Sequence, residues 1–127
     1  MAYIMSMGIY YDAKRSILLS GEEEEKIDKI TRKYIEEYPR KEEYEGPDTF
    51  DDKELGIYCG MLRIPLEFYP EDMEEFLNYW LKWLTDVTYV LQEAEWNVCF
   101  EDIPLIWNED DGWRLMSDEE FEKFDQE

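Results

Sequence analysis

PEDMEEFLNYWLKWLTDVTYVL, residues 70–91, is the stretch on which the fold turns. Met73, Leu77, Trp80, Leu84, Val87 and Leu91 recur at the spacing that puts side chains on one face of an α-helix. Pro70 suits the first helical position, where no N–H is needed. Glu71 and Asp72 follow in the opening turn, where the helix dipole favours anions. Phe76, Tyr79, Trp83 and Val90 widen the apolar arc beyond half the circumference, more than a helix lying on one sheet face needs. The extra flank is expected to pack against another element of the same chain, with a partner surface as the alternative.

Strand patterns lie on both sides of this helix. Residues 57–69 read as a strand in which Pro65 marks an edge or a break. Trp96, Val98 and Phe100 alternate with Asn97, Cys99 and Glu101, which predicts another strand. Ile103 to Trp107 contains Pro104, so a bulge or an edge is expected there. Asn108 to Gly112 is turn chemistry, and Trp113 to Met116 returns as a short strand. Ser117 with Glu120 makes a capping box that opens a short acidic helix through Phe124.

Towards the N-terminus, Tyr3, Met5, Met7, Ile9 and Tyr11 form the apolar face of an alternating strand. Ser16 to Leu19 is a short return strand or the lead into a helix. Ser20 and Glu23 form a first capping box, with Glu22 to Glu25 in the opening turn. Ile27, Ile30, Tyr34 and Tyr38 give that helix a narrow apolar stripe, and Pro39 ends it. Glu22–Lys26, Glu25–Lys29 and Asp28–Arg32 are i,i+4 pairs in the favourable order. Residues 40–56 lack periodicity and read as one long acidic loop broken by Gly46-Pro47. The fold expected is a single α+β domain over residues 1–127. It has a small mixed or antiparallel sheet of about four strands, two main helices on one face and a short C-terminal helix.

The net charge is −21, from 34 Asp and Glu against 13 Lys and Arg. Such acidity often accompanies disorder, but disordered chains are poor in aromatics, and this one has five Trp, ten Tyr and six Phe. The charge is uneven: residues 1–63 carry a net −5 and residues 64–127 a net −16. With no histidine, Ser–His and Cys–His nucleophiles and the usual zinc sites are excluded. No Gly-rich phosphate loop is present, and an enzyme is not expected. Paired carboxylates can hydrolyse glycosides, but 34 acids will supply some such pair by chance. A calcium loop ending at Gly112 would place Trp107 at its first ligand position, where Asp is required, so neither metal nor cofactor is expected.

Too few bases remain to hold DNA or RNA directly. Cys59 and Cys99 make no disulfide framework and read as buried free thiols. The N-terminal stretch lacks a basic leader, and nothing approaches the ~20 apolar residues of a membrane span. An acidic surface is also repelled by anionic lipid, and a cytoplasmic protein is expected.

What remains is the arrangement of charge. Three clusters are candidate partner-binding residues: Glu71, Asp72, Glu74 and Glu75; Glu101, Asp102, Glu109, Asp110 and Asp111; and Asp118, Glu119, Glu120 and Glu122. Carboxylates on successive helical turns lie about 5–6 Å apart, comparable with phosphates along a nucleic-acid strand. Tyr79, Trp83, Trp107 and Trp113, where exposed beside such acids, would supply the desolvated contacts that charge alone lacks. In size, charge and absence of catalytic groups, the chain resembles the small acidic inhibitors of phages and mobile elements, among them anti-CRISPR and anti-restriction proteins that mimic DNA. That resemblance implies a stoichiometric inhibitor occupying the nucleic-acid groove of a basic partner, a nuclease or CRISPR effector. The alternatives are an immunity protein neutralising a cationic nuclease toxin, and a structural or adaptor subunit with an aromatic interface.

Overall fold

Ile9, Tyr11 and Ala13 point to one side of the first strand and are buried, while Tyr10 and Lys14 on the other side are exposed, as a period of two requires. The computed structural model describes residues 8–42, 44, 46–50, 54, 56–64 and 70–125, so the Tyr3–Met7 part of that strand and Pro65 lie outside the described residues. In chain order the elements are β1 (Gly8–Lys14), α1 (Gly21–Glu37), β2 (Asp48–Phe50), β3 (Tyr58–Arg63) and α2 (Pro70–Val90). They continue with β4 (Glu95–Phe100), β5 (Ile103–Pro104), β6 (Ile106–Asn108), β7 (Gly112–Arg114) and α3 (Asp118–Asp125).

β1 is the centre of a five-stranded antiparallel sheet of order β2-β3-β1-β4-β5. Register places Tyr11 opposite Gly60 of β3 and Val98 of β4. A Cβ on Gly60 would stand 2.1 Å from the Asp48 carbonyl oxygen and 2.4 Å from the Tyr11 hydroxyl, so only glycine admits the tyrosine ring there. β6 and β7 form a separate hairpin.

The sheet is larger than the expected four strands because residues 40–56 are not a bare loop. Tyr44 is buried and packs edge-on against Phe76 and Trp80, and Asp48–Phe50 pairs with β3. An exposed three-residue edge strand carries no alternation of apolar side chains, which hides it in the sequence. Pro104 stands on the opposite edge, where its missing N–H costs no ladder bond.

α1 and α2 pack on the face of the sheet that carries Ile9, Tyr11 and Ala13. The broad apolar arc of α2 is consumed within the chain, as expected. The Trp83 indole donates to Thr31 Oγ1 at 3.0 Å, the Tyr79 hydroxyl donates to the Tyr34 carbonyl at 2.6 Å, and the Trp83 ring meets Tyr11 edge-on. Ser16–Leu19 is the lead into α1, with no strand of its own.

Both capping boxes are made: Glu23 N–H donates to Ser20 Oγ and Ser20 N–H to the Glu23 carboxylate, with the same reciprocal pair at Ser117 and Glu120. The three i,i+4 pairs of α1 are also formed. Each cap glutamate holds an arginine as well, Arg15 on Glu23 and Arg114 on Glu120. The arginine, then the cap N–H, draw each carboxyl down from 4.5 to about 2.

A carboxyl whose folded value is depressed contributes stability above its ordinary value and loses it as pH falls through the folded one. Glu23→Gln and Glu120→Gln keep the cap and remove the charge. Each is therefore expected to melt below wild type at neutral pH, the gap closing between about pH 4.5 and about pH 2 in a calorimetric titration. A gap constant across that window would show that the ion pairs contribute no pH-dependent stability.

Neither Cys59 nor Cys99 is in a disulfide, but only Cys59 is fully buried; Cys99 is half-exposed on β4. β1 lies between their strands, and neighbouring strands run about 4.8 Å apart, so the sulfurs stand beyond disulfide reach. Burial, then Asp12 and Asp102, push the Cys99 thiol above its ordinary value. Among the described residues, no helix is long and apolar enough to cross a membrane.

Candidate acidic partner-binding surface

The β6–β7 hairpin presents the most sharply built acidic feature. Asn108 Oδ1 accepts from the N–H groups of Asp110 at 2.8 Å and Asp111 at 3.3 Å, closing the turn on itself. Gly112 follows at φ 84°, with Thr85 so close that a Cβ would fall 2.3 Å from its hydroxyl. Trp113 then fixes the hairpin to α2, donating its backbone N–H to Thr85 Oγ1 at 3.1 Å and its indole N–H to Thr88 Oγ1 at 2.9 Å. Both threonine hydroxyls donate one turn back, to Leu81 and Leu84 carbonyls, so these buried polar groups are satisfied and oriented. The Tyr89 hydroxyl donates to the Glu109 carbonyl at 3.2 Å. Glu109, Asp110 and Asp111 thus stand exposed on a turn held at both ends.

Beside this turn runs a groove of about 700 Å3 between α2 and the hairpin. Glu74, Asp110 and Asp111 line it with the apolar Met73, Leu77 and Leu115. Arg114 also lines it, but its guanidinium holds Glu120 in two parallel bonds of 2.8 and 3.0 Å. Lys82 is the remaining cation of the lining, and it makes no ion pair among the described residues.

The three clusters read in the sequence therefore divide. From the first, Glu74 joins the hairpin groove, Glu71 is exposed, and Asp72 pairs with Arg40 at 3.0 Å, with Glu75 beside that pair. The second splits: Glu109–Asp111 lie against the C-terminal half of α2, whereas Glu101 and Asp102 turn the chain beside Gly8, with Glu101 at φ 54°. In the third, Asp118, Glu119 and Glu122 are exposed, and Glu120 holds its cap and Arg114. Asp72 and Glu120 serve the fold before any partner.

Of the aromatic candidates, Trp83 is 0% exposed and Trp113 9%, so neither offers a surface to a partner. Their indole N–H groups are satisfied by the half-buried Thr31 of α1 and the buried Thr88 of α2, and that ties them inside. Tyr79 is half-buried against Tyr34. Tyr79 lines a depression with Asp72 and Glu75, and Trp107 stands half-exposed beside Glu109, edge-on to Tyr89 and Trp113.

Three surface residues were not singled out in the sequence. Ile17 and Leu18 are two adjacent aliphatics outside any period, and Tyr89 sits on the polar side of α2, in line with Lys82 and Glu93 at helical spacing. An apolar residue on the wrong face was the available signal. Among the described residues, no three Cys, Asp or Glu side chains converge in a way that could hold a metal ion.

The distribution of ion pairs differs sharply between the halves. In the first half Glu22, Glu23, Glu25, Asp28 and Asp48 each have a cation within 4.0 Å. Among the described acids of residues 64–127, Asp72 and Glu120 have a cation within that distance. No protein-family model matches the chain, nor does any curated protein or solved structure.

Proposed function

We propose that this chain is a non-catalytic binding protein that occupies a basic, nucleic-acid-binding surface of a partner enzyme in the cytoplasm, in the manner of a DNA mimic. The observation that supports it is the unopposed anion of the second half, set on a rigid hairpin and the adjoining groove rather than on a mobile tail. Carboxylates without intramolecular cations raise the self-repulsion of the folded state, so their retention is accounted for by a cation supplied from outside. Preorganised acids displace phosphate from Lys and Arg at little conformational cost, because the turn is fixed before the partner arrives.

The test is inhibition. The chain is added in increasing amounts to DNA-cleavage reactions of basic nucleases, including restriction endonucleases, CRISPR effectors and nuclease toxins, at several salt concentrations. Expected is inhibition of at least one of them that saturates at a fixed stoichiometry and is relieved steeply as salt rises. If none is bound or inhibited even at low salt, the reading fails.

A further inference from the structure

Ile17 and Leu18 are 70% and 59% exposed, yet they are not on a loose segment. Arg15 Nε donates to the Ile17 carbonyl at 2.7 Å and Nη2 to the Leu18 carbonyl at 3.2 Å. The same guanidinium is held by Glu23, itself fixed by the capping box of α1. Their backbone is clamped and their side chains are turned outward. Tyr89, 45% exposed, lines a depression of about 600 Å3 beside them, together with Glu93. On its other side Tyr89 lines a second depression with Trp107 and Glu109. Aliphatic knuckle, Tyr89, Trp107 and acidic turn therefore form one continuous face.

We infer that this face is the partner-docking surface, and that its occupant is a basic protein segment in which an apolar side chain is flanked by Lys or Arg. The inference rests on the proposed function and adds to it the contact that gives residence. Charge alone accelerates encounter, whereas dissociation is governed by a few desolvated apolar contacts ringed by polar groups. The cations at the first depression already have carboxylates, Arg15 on Glu23, with a weaker pull from Glu93, and Lys26 on Glu22, which leaves the Glu109–Asp111 turn to meet positive charge. The same charge argues against a second copy as occupant. Pairing this face with itself would bring those acids together on two molecules of net charge −21.

A library of random linear peptides displayed on phage is selected against the full chain, and the enriched peptides are titrated against wild type and an Ile17→Ser/Leu18→Ser double variant. Both positions are exposed, so an unchanged melting temperature is expected of the variant and certifies its fold. Expected is a consensus of Lys or Arg around Leu, Ile, Phe or Trp, with affinity reduced about tenfold or more by the double substitution. No such consensus, or one that binds the variant equally well, overturns the inference. The variant is also assayed against any nuclease the wild type inhibits. Undiminished inhibition would sink the docking face and leave the proposed function standing. A peptide consensus lost in the variant, with no nuclease inhibited, would do the reverse.

Discussion

Trp83→Ala is expected to unfold a large share of the protein at physiological temperature. The side chain is 0% exposed, meets Tyr11 and Trp80 edge-on, and spans from α2 to α1 through its bond to Thr31. Burying tryptophan and then truncating it costs roughly 3–5 kcal/mol through lost transfer energy and the cavity left behind. Total stabilities run about 5–15 kcal/mol, and a highly charged small domain has little reserve. The neighbouring Trp80 provides an internal comparison. It is equally buried, but its indole N–H has no hydrogen-bond partner among the described residues. Trp80→Phe removes an unsatisfied donor, whereas Trp83→Phe removes a satisfied one and leaves Thr31 Oγ1 without its donor. Chemical denaturation should therefore rank Trp83→Phe as the more damaging of the two by about 1 kcal/mol or more. Equal losses would show that the Thr31 bond contributes nothing beyond packing.

Reversing Glu109, Asp110 and Asp111 to Lys is expected to slow association with an inhibited nuclease by about 10- to 1,000-fold at low ionic strength. Stability should change by no more than about 0.5 kcal/mol, because the three side chains are exposed and the turn is closed by Asn108 and backbone N–H groups. Reversal of Glu36, Glu37 and Glu42, all exposed on or just beyond the other helix, makes the same change in net charge at a different place. Stopped-flow association of the two variants separates a local effect from a global one. If both slow to the same extent, total charge steers the encounter and the hairpin has no special part. With added salt the difference between the variants should shrink, since the Debye length falls to about 3 Å at 1 M.

Much of the local structure is legible because it is encoded locally. Ser20 with Glu23, and Ser117 with Glu120, each specify a cap within four residues, and the α1 pairs need only one helical turn. The apolar period of residues 70–91 commits α2 to a two-sided burial that requires a neighbouring helix. The candidate site was legible only in part. Glu109–Asp111 and Trp107 could be named, but Trp83 and Trp113 carry the same composition signal as Trp107 and are buried. Exposure depends on which way a helix or hairpin faces once docked. That is settled by distant groups such as Thr31, Thr85 and Thr88.

By itself, then, the chain's order of residues determined a folded α+β domain, the caps and extent of its helices, and an excess of anion concentrated in its second half. Those follow from short-range periodicity, turn chemistry and counting. Only the tertiary structure decided that residues 40–56 supply an edge strand, that two of the acids are neutralised by Arg40 and Arg114, and that Ile17, Leu18 and Tyr89 share one face with the acidic hairpin. Such pairings join residues far apart in the chain, and no local pattern specifies them. They are selected by whichever packing buries Trp80 and Trp83 with their neighbours.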